Sequence, residues 1–118
     1  MEVKIKDKTI TLNYTSRMYY IYEEKFQENV EFENLRSQKQ QMNLFYACIL
    51  ASIQKQKLDI SFSQDEFTDW LDDNGDIFLV SEFMLWFSNE FTTRSALVGQ
   101  KEEEEEDGLP KQRKKSKG

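Results

Sequence analysis

Two short runs of alternating residues open the chain, and helical spacing follows. Val3 and Ile5 point one way while Glu2, Lys4 and Lys6 point the other. Ile10, Leu12 and Tyr14 repeat the pattern against Thr9, Thr11 and Asn13, and a period of two marks half-buried strands. Asp7-Lys8 is placed to join them in a tight hairpin, without the Gly that favours such turns. A lone hairpin is marginal in water, so this one needs a helix to lie on.

From Thr15 or Ser16, either of which can cap a helix, the spacing becomes helical. Met18, Ile21, Tyr22 and Lys25/Phe26 form the inward stripe, and Tyr20 falls on the back. With Thr15 as cap, Tyr14 and Tyr19 take the positions of a hydrophobic staple. The helix fades at Glu28-Asn29, and Val30-Glu31-Phe32 reads as a third short strand or an extended connector. A second helix is predicted from about Ser37 to Lys55. Met42, Phe45, Tyr46, Ile49 and Ile53 make one stripe and Leu44, Cys48 and Ala51 another, and a helix apolar nearly all round belongs in the middle of a core.

Phe62-Ser63-Gln64-Asp65-Glu66-Phe67 carries the clearest local signal. Ser63 and Glu66 have the spacing of a capping box, Phe62 and Phe67 that of a staple. A short third helix therefore starts at Ser63, buries Phe67, Trp70 and Leu71, and stops at the turn cluster Asp72-Asp73-Asn74-Gly75. The fourth helix is predicted from about Asp76, as N-cap, to Thr93. Ile77, Val80, Met84, Phe87 and Phe91 are its main stripe, widened by Leu79, Phe83 and Trp86. Its remaining side, Phe78-Glu82-Leu85-Asn89, still holds two large apolar residues. A body this small cannot bury everything, so Phe78, Leu85 and Tyr20 point to an outer apolar patch of the kind that marks a protein partner or self-association. Scattered surface hydrophobes are the plainer reading.

The expected fold is α+β and mostly α: the N-terminal hairpin, with the third strand left open, packed on about four helices. It forms one domain over residues 1–97, and a disordered charged tail follows over 98–118. Residues 1–100 hold 10 Lys/Arg against 16 Asp/Glu, so the body carries the whole net charge of -6. An acidic body argues against holding a nucleic-acid backbone, which needs a positive face. The tail is segregated, Glu102–Asp107 all acidic and then Lys111-Gln112-Arg113-Lys114-Lys115 basic, and such blocks contain nothing to bury. No secretory leader is expected at a charged, alternating N-terminus. Leu44–Ile53, the longest apolar stretch, is too short to span a bilayer.

Catalytic chemistry has little to work with. The chain has no His, which removes the commonest general base and metal ligand. Cys48, the single cysteine, sits in an apolar run that disfavours its thiolate, and it allows no internal disulfide. All four glycines follow residue 74, so no phosphate-cradling loop is present. Asp72-Asp73-Asn74-Gly75-Asp76 invites a calcium-loop reading, but aligning Gly75 puts Trp70 and Ser81 where acidic ligands belong. A non-enzyme without cofactor or metal is expected.

Taken in order, the hairpin VKIKDKTITLNYT, the helix SRMYYIYEEKFQEN, the extended VEF, a central helix with FYACILAS, the segment SFSQDEFTDWLDDN and a last amphipathic helix resemble the tail assembly chaperones of long-tailed bacteriophages over roughly residues 3–93. The resemblance implies a small helical protein of the host cytoplasm, absent from the mature virion. It would bind the tape-measure protein, keep it soluble, and help tail-tube subunits polymerise around it. Self-association into a homo-oligomer, and a longer form made by ribosomal frameshifting near Lys114-Lys115, are implied too. The family contributes no catalytic residue. Tyr20, Phe78, Leu85 and Trp86 are the expected partner contacts, with plain core packing the competing reading, strongest for Trp86. Two other functions fit the composition: a small acidic inhibitor mimicking nucleic acid, and a small structural subunit retained in the virion.

Overall fold

Val3 pairs with Ile10 across an antiparallel ladder that also matches Glu2 with Thr11, Lys4 with Thr9 and Ile5 with Lys8. The computed structural model describes residues 1–31 and 35–108, with side chains as far as Val98. Its elements are β1 (Glu2–Ile5), β2 (Lys8–Thr11), α1 (Ser16–Phe26), α2 (Gln38–Lys55), α3 (Gln64–Asp73) and α4 (Asp76–Gly108). This is the expected α+β, mostly helical architecture. Contacts divide the chain into two compact units, Met1–Phe87 and Ser88–Gly118, with the boundary inside α4.

The hairpin turn falls one residue earlier than predicted. Lys6 and Asp7 both adopt left-handed backbone, with φ of 52° and 66°, the twist that lets two residues reverse an antiparallel pair. Val3, Ile5, Ile10 and Leu12 are buried beneath the hairpin, and β2 and α1 both pack on α2. Asn13 N donates to Ser52 Oγ at 2.9 Å, and Ser52 Oγ donates to the Cys48 carbonyl at 2.8 Å. A serine inside an otherwise apolar helix is thus satisfied on both sides and fixes where β2 leaves the sheet. Among the described residues the sheet has two strands. Val30 and Glu31 belong to no strand, and Phe32 lies outside the described set.

Thr15 occupies the N-cap of α1 in extended backbone, but its side chain makes no capping bond. Its hydroxyl oxygen is buried without a partner. The cap is carried by packing instead: Tyr14 and Tyr19 meet edge to face at 5.8 Å, as the staple predicts, and Phe87 lies 5.4 Å from Tyr14. Ser37 caps α2, accepting from Gln40 N at 3.1 Å. From Asn43 to Ile53 that helix is buried except at Leu50, which is half-buried, as its two stripes predict. It ends in a Schellman closure. Leu58 N donates to Ile53 O and Lys57 N to Gln54 O, with Lys57 left-handed at φ 56°.

The capping box of α3 is complete: Glu66 N donates to Ser63 Oγ at 3.1 Å and Ser63 N to Glu66 Oε1 at 2.8 Å. Phe62 and Phe67 close the staple at 6.2 Å. The hairpin is clamped to this helix by Trp70 Nε1, which donates to the Lys4 carbonyl at 2.8 Å. Lys6 adds a second tie, donating to the Ser61 carbonyl and pairing with Glu66 at 3.0 Å.

α4 differs from its prediction in two ways. Its buried line is Val80, Phe83 and Phe87, whereas Ile77 and Phe91 are exposed. The reason is aromatic: Phe83 stacks on Phe45 at 4.5 Å and an interplanar angle of 10°, which turns the helix so that Phe83, not Met84, faces inward. The helix also runs past the predicted end at Thr93 to Gly108. Residues 94–107 contain no Pro, and ten of the fourteen are Arg, Ala, Leu, Gln, Lys or Glu, all strong helix formers. The described part of the second unit is this continuation, with Glu90 and Arg94 paired at 3.1 Å. Of the tail expected to be disordered, 98–118, residues 98–108 continue α4 as helix, and 109–118 lie outside the described set.

Candidate functional site

The rotation of α4 decides what is left outside. With Val80, Phe83 and Phe87 facing the core, the opposite side presents Phe78, Glu82 and Leu85, spaced by four and three residues along one face. Phe78 is 81% exposed and Leu85 65%. Phe78 is among the largest apolar side chains in the chain, and leaving it almost fully in water forfeits most of the roughly 1.5–3 kcal/mol its burial would supply. The turn that precedes it is tight. Gly75 has φ 116°, and a Cβ there would sit 3.5 Å from Leu79 Cβ. Asp76 is also left-handed at φ 54°, and Phe78 N donates to the Gly75 carbonyl at 3.0 Å. Two unusual backbone conformations in succession hold the first turn of α4, and Phe78 with it.

The four expected contact residues do not form one surface. Trp86 is half-buried, packed 5.8 Å from Phe83 against the core. Tyr20 is 65% exposed, but lines a shallow groove with Ser16, Arg17, Ile21, Glu24 and Gln54, all from α1 and α2. Its hydroxyl donates to Glu24 at 3.1 Å. Phe78 and Leu85 alone share a face. Ile77, 39% exposed beside Phe78, joins its margin. Sequence spacing assigned Ile77 to the core because it placed the stripe one residue away from where the Phe45 stack puts it.

The stretch of chain that carries this face is acidic. From Leu58 to Phe87 there are eight Asp or Glu and no Lys or Arg, and all eight acids are exposed. Among the described residues Glu66 is the one of them with a cation within ion-pair distance, the Lys6 ammonium. Its carboxyl is held below the usual range, first by the Ser63 backbone N–H and then by Lys6. Asp72, Asp73 and Asp76 ring the turn before Phe78, and Glu82 stands between Phe78 and Leu85.

Elsewhere the titratable groups are tied into packing. Burial pushes the Cys48 thiol up to about 12, so it stays protonated and unreactive. Burial and then a hydrogen bond with Tyr14 raise Tyr19, and burial and then Glu28 raise Tyr22. Among the described residues no group of three His, Cys, Asp or Glu side chains is placed to hold a metal ion, and no helix is long and apolar enough to cross a membrane. Phe78 and Leu85 thus form a solvent-facing apolar pair on an acidic segment of the chain. Comparison of the chain with protein-family models, curated proteins and solved structures finds no match.

Proposed function

We propose that this chain is a non-catalytic assembly chaperone of the kind its sequence resembles, binding a phage tape-measure protein and keeping it soluble while tail-tube subunits polymerise around it. The observation that carries the reading is the exposure of Phe78 and Leu85 on one face of α4. Before the tube covers it, a tape measure presents long apolar helical surface to water. A chaperone needs a small apolar face that can cover such surface and release it, on a body that resists aggregation. Two large side chains provide grip without the area of a permanent interface, and the net charge of -6 opposes aggregation of the complex. The mostly helical fold supports the reading only as far as the small helical protein that the resemblance implies. The reading places the protein in the host cytoplasm, in self-association, and outside the mature virion.

Affinity purification of the tagged chain from cells that make it naturally, with partners identified by mass spectrometry, tests this. Recovery of a very long, helix-rich protein that stays bound in high salt is expected. Recovery of a nucleic-acid-binding protein that washes off with salt would replace the chaperone with the acidic inhibitor, and presence of the chain in purified particles would replace it with a structural subunit.

A further inference from the structure

Apolar and charged features coincide on α4. Phe78 and Leu85 are one heptad apart, about 10 Å along the helix axis at 1.5 Å per residue, and Glu82 lies between them on the same face. Asp72, Asp73 and Asp76 stand at its N-terminal end. All four carboxylates are exposed, and among the described residues none of them pairs with a Lys or Arg.

We infer that this face receives a basic amphipathic helix: a partner segment with two apolar side chains seven residues apart and Lys or Arg between and beside them. Such a segment sets one apolar residue against Phe78 and the other against Leu85, while its middle cation meets Glu82 and its flanking cation meets the Asp72-Asp73-Asp76 end. Lys and Arg stems can lie along the apolar pair while their heads reach the carboxylates. The charges steer and orient the segment, and the apolar pair holds it. A second copy of this chain is a poor occupant. An antiparallel two-fold pairing brings the two Glu82 carboxylates together at the axis, a parallel one sets them side by side, and neither supplies a cation. A nucleic-acid backbone is repelled outright. The inference takes from the chaperone reading only that a client exists, and it names that client's binding segment by chemistry.

The test uses the full chain and synthetic Ala-based helical peptides of about five turns. One peptide carries two Leu seven residues apart with Lys between and beside them, the second has Glu for each Lys, and the third has Ala for each Leu. Affinities are read by fluorescence anisotropy. The Lys–Leu peptide is expected to bind, and each control to bind at least about tenfold more weakly. Glu82→Lys should weaken the Lys–Leu peptide about fivefold and strengthen the Glu peptide, with an unchanged melting temperature because Glu82 is exposed. Three results would overturn the inference: no binding of the Lys–Leu peptide, equal binding of the Lys and Glu peptides, or binding indifferent to loss of both Leu. A dimer of the chain abolished by Phe78→Ser would also overturn it. None of these touches the purification experiment, so the surface chemistry and the chaperone reading fail separately.

Discussion

Single residues show how a chain with no glycine before position 75 makes its turns. Lys6, Asp7, Gln27 and Lys57 all take left-handed backbone, which costs a residue with a Cβ roughly 1–2 kcal/mol relative to its ordinary conformation. Lys57 is the C′ residue of a Schellman closure, the position Gly normally fills. Lys57→Gly should therefore raise stability by about 0.5–1 kcal/mol in urea unfolding. The same reasoning applies at Asp7, the second residue of the hairpin turn, where Gly is preferred. Asp7 announced the hairpin turn to within one residue, whereas Gln27 and Lys57 carry no turn signal of their own.

Glu66 makes a pH-dependent prediction at the same scale. Its folded carboxyl titrates below the unfolded one, so the folded state favours the charged form. The stability this supplies is complete above the ordinary glutamate range and drains away as pH falls through the lowered folded value. Thermal melts of wild type and Glu66→Gln from pH 7 downward should show a gap that closes as the medium becomes acid. A gap constant with pH would mean that Ser63 and Lys6 do not hold the charge.

At the scale of elements, local signals were legible and rotational ones were not. The Ser63–Glu66 box and the two staples, Tyr14 with Tyr19 and Phe62 with Phe67, depend on neighbours in sequence, and each pairing forms. Ser63→Ala should cost about 1 kcal/mol. The central place of α2 was legible too, since a helix apolar on nearly every side has nowhere else to go. The orientation of α4 was not, because it depends on the stack of Phe83 over Phe45, a residue on a distant segment. Periodicity alone spread the core stripe over Ile77 and Phe91, which the structure leaves exposed. Phe83→Ala should thus cost about 3–5 kcal/mol by opening a cavity among Phe45, Trp86 and Phe87. Met84→Ala, at a half-buried position, should cost clearly less.

For the molecule as a whole, the division of labour lies between the two sides of α4 in the first unit. One side completes an aromatic core; the other leaves Phe78 and Leu85 in water among carboxylates. That surplus was legible in the sequence as two large apolar residues beyond what the core needs. Its extent was not, because Tyr20 lies in a groove of α1 and α2, and Trp86 packs on Phe83. The chaperone reading thus rests on two residues rather than four.

The direct test of that reading is a paired purification of wild type and the Phe78→Ser, Leu85→Ser double variant, with partner recovery and melting temperature measured on the same preparations. The account predicts that the long helical client disappears from the variant while the melting temperature stays within a few degrees. Retention of the client would show that it binds elsewhere, and a large fall in melting temperature would show that these side chains serve the fold.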